Sequence, residues 1–108
     1  MGGGRRVKVA SVGEVETGQG RVVEANGKTL ALFNVDGVFY AMDNACAHRG
    51  GPLGEGDLDD TIVTCPWHAW RWDVRSGANA NNPALRVACF PVVVENGAVF
   101  VELSRRDP

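Results

Sequence analysis

Hydrophobic residues occur along this chain in short runs, and residues that favour tight turns separate these runs. Asn26-Gly27, Asp36-Gly37 and Asn96-Gly97 each lie between β-branched or aromatic residues. A dipeptide of this kind between such residues is typical of a β-hairpin turn. The pattern therefore predicts three hairpins.

No segment repeats its hydrophobic residues with the period of a helix, and short strands at this spacing favour a β sandwich or barrel. We therefore predict an all-β fold of antiparallel strands. The predicted strands are residues 6–12, 21–25, 28–35, 38–42, 61–64, 91–95 and 98–103.

Two irregular segments interrupt this pattern. Residues 43–60 are rich in glycine and proline, which makes regular structure improbable, and we predict a loop there. Residues 76–83 contain Gly77 and the run Asn79-Ala80-Asn81-Asn82-Pro83, and we predict a second loop.

Composition limits the possible partners. The 108 residues suit a single domain, 1–108, and 44% hydrophobic with 22% charged residues is normal for a globular chain. A net charge of -2 gives no basic surface for nucleic acid or an anionic membrane. No apolar run is long enough to span a membrane, and residues 1–6 lack the apolar stretch of a signal peptide. We expect a soluble cytoplasmic protein.

Cysteine and histidine occur together. The chain has three cysteines and two histidines, and each histidine follows a cysteine: Cys46-Ala47-His48, then Cys65-Pro66-Trp67-His68 after 16 intervening residues. An odd number of cysteines argues against a disulfide framework. Two thiolates and two imidazoles can bind a tetrahedral metal ion or an iron–sulfur cluster. The candidate ligands are Cys46, His48, Cys65 and His68.

The spacing of these ligands favours a dinuclear centre. Zinc modules generally keep like ligands together, whereas here each segment supplies one cysteine and one histidine. Two thiolates can then hold one iron and two imidazoles the other. A single zinc ion is the alternative, and it predicts a colourless protein.

The segments Cys46-Ala47-His48-Arg49-Gly50-Gly51-Pro52-Leu53 and Cys65-Pro66-Trp67-His68-Ala69-Trp70 resemble the cluster-binding loops of Rieske-type ferredoxins. This resemblance implies one 2Fe-2S cluster and two cluster-binding loops, about 43–56 and 64–76, inserted in a β base. It also implies that Cys46 and Cys65 bind the buried iron, and that His48 and His68 bind the outer iron at the surface.

The resemblance also carries an expectation about the reduction potential. Rieske proteins of quinol-oxidising complexes have a cysteine pair at the positions of Gly51 and Trp67, and a Ser and a Tyr at those of Trp70 and Trp72. Because both hydroxyl donors are missing here, we expect a potential near the low end of the Rieske range, roughly -150 mV.

The sequence favours an electron carrier over an enzyme. With both histidines committed, the chain cannot build a second iron site from two histidines and a carboxylate, and it has no dinucleotide-binding motif. The resemblance implies a ferredoxin that takes one electron from a reductase and gives it to a ring-hydroxylating dioxygenase, docking near His48 and His68. The alternatives are the small subunit of an NAD(P)H-dependent nitrite reductase and a detached Rieske domain of an oxygenase α subunit.

Three further expectations concern residues near these segments. We expect Cys89, between Ala88 and Phe90, to be a buried structural thiol without a functional role. At least one of the three tryptophans, Trp67, Trp70 and Trp72, should pack beneath the loops. Asn82-Pro83 is a candidate for a third loop that covers the cluster.

Overall fold

The computed structural model describes residues 4–44, 52–67 and 70–104, and strands dominate this part of the chain. It contains ten strands and two short 3-10 turns, at Val12–Glu14 and Leu53–Glu55. The strands are β1 (Gly4–Ser11), β2 (Gln19–Ala25), β3 (Lys28–Val35), β4 (Val38–Asp43), β5 (Asp57–Asp59), β6 (Ile62–Thr64), β7 (Arg71–Asp73), β8 (Cys89–Phe90), β9 (Val92–Glu95) and β10 (Ala98–Ser104).

The three predicted hairpins are confirmed. Asn26, Asp36 and Asn96 have φ angles of 53°, 51° and 51°, and the glycine after each has a φ of 88°, 88° and 79°. Two successive positive φ angles match the right-handed twist of the flanking strands, and Asn-Gly and Asp-Gly adopt them readily. These turns join β2 to β3, β3 to β4 and β9 to β10.

The described strands form three antiparallel sheets. Their orders are β1-β10-β9, β2-β3-β4-β8 and β5-β6-β7. One hydrophobic cluster joins residues of the first sheet to the four-stranded sheet. A second cluster joins the four-stranded sheet to the third. The all-β prediction is therefore confirmed, and the four-stranded sheet packs on both of its faces.

Strand β3 shows why the four-stranded sheet lies between the other two. Its run Leu30-Ala31-Leu32-Phe33 is at most 1% exposed. Because successive side chains of a strand point to opposite faces, Leu30 and Leu32 enter the first cluster, and Ala31 and Phe33 enter the second.

Two strands lie where we predicted loops. β5 falls inside the predicted loop 43–60, and β7 falls inside the predicted loop 64–76. Each has three residues, too few to show a period, and each is stabilised by pairing with β6. No helix in the described ranges is long and apolar enough to cross a membrane.

Candidate metal centre

Cys65 lies directly after β6, where the chain turns toward β7. The residue is 1% exposed, and its backbone N–H donates a hydrogen bond to the carbonyl of Trp70 at 2.7 Å. This bond extends the β6–β7 pairing by one residue on each strand. The other predicted ligands, Cys46, His48 and His68, lie outside the described residues. The complete ligand set therefore stays a prediction.

The chain on either side of the first predicted ligand segment is held together at its base. The N–H of Leu53 donates to the carbonyl of Asn44 at 2.8 Å, and the N–H of Gly54 donates to Oδ1 of the same Asn44 at 2.7 Å. Leu53 is fully buried. The two ends of the segment that carries Cys46 and His48 are thus fixed side by side, directly after β4.

This base packs against the strand that leads into Cys65. A side chain at Gly56 would collide with the carbonyl oxygen of Thr64, the residue before Cys65. Leu53 and Cys65 belong to the same buried cluster. The residues that border the two predicted ligand segments therefore share one core, which is the arrangement that a centre with ligands from both segments requires.

A backbone amide lies near the Cys65 sulfur. The N–H of Trp67 donates to Sγ at 3.4 Å. An N–H donor on sulfur favours the thiolate, which is the form that binds metal. The described residues contain no group of three or more His, Cys, Asp or Glu side chains placed to hold a metal ion, and three of the four predicted ligands lie outside that part of the chain.

One buried polar atom tests whether these residues fit an iron–sulfur group. Trp72 is fully buried in the same cluster as Cys65. Its indole Nε1 has no hydrogen-bond partner among the described residues. A shielded donor in the same cluster as a buried thiol fits a bound group that supplies acceptor atoms. The donor set, thiolate sulfur with a nearby N–H, fits an iron–sulfur cluster.

The three tryptophans differ sharply in exposure. Trp67 is 50% exposed, whereas Trp72 is fully buried. Trp70 is partly buried and its ring stacks on that of Trp72, with centroids 6.1 Å apart. Trp72 is therefore the tryptophan that packs in the core. Trp67 is an exposed aromatic side chain one residue before the predicted ligand His68.

The expectation that Cys89 is buried is wrong. It is exposed, on the two-residue edge strand β8, and its side chain lines an open groove with Tyr40, Arg75 and Phe90. Partial burial raises the pKa of its thiol. Its apolar neighbours in the sequence predict a buried strand, but β8 is a two-residue edge strand and Cys89 belongs to neither hydrophobic cluster.

Residues 79–81 lie along the edge of β7 that does not pair with β6. The N–H of Ala80 donates to the carbonyl of Arg71 at 2.9 Å, and the Arg71 guanidinium donates to Oδ1 of Asn81 at 3.1 Å. Asn79 is buried, and its Oδ1 accepts from the N–H groups of Asn81 and Asn82. The predicted third loop is thus held next to the strand that follows His68.

Sequence reasoning missed the amide near Cys65, and it expected a buried tryptophan without identifying which of the three it is. The hydrogen bond from the Trp67 amide to the Cys65 sulfur depends on a turn that the residue types do not specify. The sequence contains one indication that Trp72 is buried, because Arg71-Trp72-Asp73 alternates polar, apolar and polar residues. Three residues, however, do not establish a strand.

Comparison with known proteins identifies the class. The Rieske [2Fe-2S] domain family matches residues 5–91, and the chain belongs to this family. One 2Fe-2S cluster of the Rieske type is therefore its cofactor, as predicted from the sequence.

Within the family, the chain is most informatively compared with dioxygenase ferredoxins. It is 34% identical over 105 residues to the 3-phenylpropionate/cinnamic acid dioxygenase ferredoxin subunit of Shigella flexneri serotype 5b, covering 95% of this chain and 98% of that protein. It is 32% identical over 99 residues to the naphthalene 1,2-dioxygenase system ferredoxin component of Pseudomonas putida, covering 91% and 95%. These similarities confirm the prediction of a ferredoxin-type electron carrier.

Solved structures agree. A chain in the complex of reduced oxygenase and oxidized ferredoxin of carbazole 1,9a-dioxygenase superposes with a TM-score of 0.82 at 30% identity, covering 95% of both chains. A protein assigned as the NADH-dependent nitrite reductase small subunit of Mycobacterium tuberculosis superposes with a TM-score of 0.85 at 21% identity, covering 93% and 96%. The second likeness shows the fold alone, so the ferredoxin interpretation is better supported than the nitrite reductase alternative.

Proposed function

We propose that this chain is the ferredoxin of a ring-hydroxylating dioxygenase system and carries one electron from a reductase to the terminal oxygenase. The observation that carries the proposal is the pairing of a buried Cys65 with an exposed Trp67 two residues later. A buried Cys65 would hold the cluster inside the protein, and an exposed Trp67 would offer a partner an apolar contact close to it. The cytoplasm is the proposed location, and 1–108 the proposed single domain, with cluster loops about 43–56 and 64–76.

Cys46, His48, Cys65 and His68 are the proposed ligands. When bound, the cluster supplies a one-electron site whose neutral imidazole ligands raise the reduction potential above that of an all-cysteine centre. The chain's part is to hold the Cys65 thiolate away from water and to stabilise it with the Trp67 amide. The hydrogen bonds of Asn44 fix the base of the segment that carries the other thiolate.

We propose that partners dock near His48 and His68. Trp67 supports this site, because exposed tryptophans at protein interfaces often contribute much of the binding energy. The exposed carboxylates of Glu55, Asp57 and Asp59 lie in the chain between the two predicted ligand segments. They would steer a basic partner toward this end of the molecule.

Replacing each described cysteine separately tests the ligand assignment. Cys65→Ser should abolish the red-brown spectrum of the native cluster, because a serine hydroxyl does not replace a buried thiolate ligand. Cys89→Ser should leave the spectrum and the iron content unchanged. Visible absorption before and after dithionite, with iron and sulfide analysis, measures both. A native spectrum in the Cys65 variant would contradict the assignment, and so would loss of the spectrum in the Cys89 variant.

Replacing Trp67 tests the docking site. Trp67→Ala keeps the backbone N–H that contacts Cys65, so the spectrum and the potential should not change. The KM for this ferredoxin in oxygenase turnover should rise about tenfold, the loss expected for an interface hot spot, whereas kcat should change little.

Val38→Ala is the matched control for this measurement. Val38 is 53% exposed and begins β4, whereas Asn44 and the ligand segment follow the other end of that strand. Its KM should stay at the wild-type value. A Trp67→Ala protein with a KM within twofold of the wild type would rule out docking through this residue.

A further inference from the structure

The indole of Trp72 is an unusual buried donor. Trp72 is the largest fully buried side chain among the described residues, and its Nε1 has no hydrogen-bond partner in that part of the chain. Leaving a buried donor unpaired destabilises the folded protein. Buried donors in native proteins are therefore nearly always paired, and an unpaired one points to an acceptor that the protein alone does not provide.

Asn34 and Asn79, the buried polar residues of the described ranges, both have hydrogen-bond partners. The Nδ2 group of Asn34 donates to the carbonyl of Val15 at 2.8 Å, and its Oδ1 accepts from Gly37 at 2.7 Å. The Oδ1 of Asn79 accepts two backbone N–H groups. The fold thus satisfies buried polar groups where it can, and the exception lies in the cluster of side chains that contains Cys65.

Strand register places Trp72 on the same face as Cys65. Trp72 pairs with Val63, and the next pair along the hairpin on that face is Cys65 with Trp70, joined by the Cys65 N–H. Side chains two residues apart on a strand share a face. Cys65 and Trp72 are therefore diagonal neighbours, a separation of about 7–8 Å that an aromatic side chain can span.

We propose that the Trp72 indole N–H donates a hydrogen bond to a sulfur atom of the iron–sulfur centre that Cys65 helps to hold. This proposal rests on the proposed ligand role of Cys65. Indole is a donor only, and a sulfur of the centre is an acceptor that becomes more negative on reduction. The bond is therefore stronger in the reduced protein, and Trp72 raises the reduction potential.

The proposal changes the meaning of one sequence difference. Trp72 occupies the position of a tyrosine in Rieske proteins of quinol-oxidising complexes, and the hydroxyl of that tyrosine is a donor that this chain lacks. The structure puts an N–H in the buried cluster at that position, so the position still holds a donor, now of a different chemical type. Trp72 is a positioning and tuning residue, since it acts on the electron site without being a ligand.

The first test is a redox titration of the loaded Trp72→Phe protein. Phenylalanine keeps an aromatic ring in the core and removes the N–H. The equilibrium constant for reduction should fall about tenfold, the size expected for one hydrogen bond to a charged group. For a one-electron couple, this is a fall of about 59 mV in the reduction potential. Iron and sulfide content should not change.

Val63→Ala is the control for packing. Val63 is the fully buried cross-strand partner of Trp72, so its truncation leaves a cavity beside the indole and removes no donor. The equilibrium constant for reduction of this variant should stay within twofold of the wild-type value, although the free energy of unfolding falls. An unchanged potential in Trp72→Phe, or an equal fall in Val63→Ala, would overturn the proposal.

A second measurement does not need the Trp72 variant to load its cluster. In Trp67→Phe/Trp70→Phe protein with 15N-labelled indole, Trp72 is the sole tryptophan. Pulsed EPR of the reduced protein should show a 15N coupling from it, and absence of this coupling would overturn the proposal. A wild-type protein without iron or visible absorption would instead overturn the function on which the proposal rests, and the proposal with it.

Discussion

Gly77 and Gly97 have almost the same backbone conformation in very different surroundings. Their φ angles are 78° and 79°, a region that residues with a side chain rarely adopt. A side chain at Gly77 would collide with the carbonyl oxygen of Val87 and lie 2.9 Å from the Cys89 sulfur, whereas nothing lies within 4 Å at Gly97. Gly77 is therefore fixed by space as well as by conformation.

This pair predicts two different losses of stability. Gly97→Ala should lower the free energy of unfolding by about 1 kcal/mol, the conformational cost alone. Gly77→Ala should lower it by about 3 kcal/mol, because the collision adds an overpacking cost to the conformational one. Urea unfolding of both variants measures the difference, and equal losses would show that the contact at Gly77 relaxes freely.

At the residue scale, sequence reasoning succeeded where chemistry is local. Cys65 could be singled out because His68 follows it three residues later, and the structure places its thiol in the core. The burial of Cys89 was predicted wrongly because its apolar neighbours do not reveal that it lies on a two-residue edge strand that lines an open groove. The indole of Trp72 likewise becomes a candidate donor only once β6 and β7 are paired.

At the scale of elements, the long strands and their tight turns could be predicted, because each hairpin is specified by two turn residues and the runs beside them. β5 and β7 could not, since they have three residues each and depend on pairing with β6. The base of the first ligand segment shows the same limit. Asn44 joins to Leu53 and Gly54 through hydrogen bonds across a gap in the described chain, and no local pattern encodes those contacts.

At the scale of the whole molecule, β3 contributes buried side chains to both hydrophobic clusters. Neither cluster can lose β3 without exposing the other, so we expect the protein to unfold in a single transition. Far-UV circular dichroism follows all strands, whereas tryptophan emission follows residues 67–72, which contain all three tryptophans.

In urea under anaerobic conditions, these two signals should therefore give the same midpoint for the loaded protein. Separate midpoints, with the tryptophan signal changing first, would show that the half of the molecule that borders the metal centre unfolds independently. Phe33→Leu, which alters the second cluster, should shift both signals together.

The first and last of the described strands are neighbours: Gly4 pairs with Ser104 at one end of the β1–β10 ladder. Paired residues of antiparallel strands lie about 5 Å apart. A short linker could therefore join Gly4 to Ser104 in a redesigned chain, and new ends could be opened at the exposed Asn96-Gly97 turn. Such a circular permutant would keep both hydrophobic clusters, and it would let a reductase be fused at a chosen hairpin of the β base.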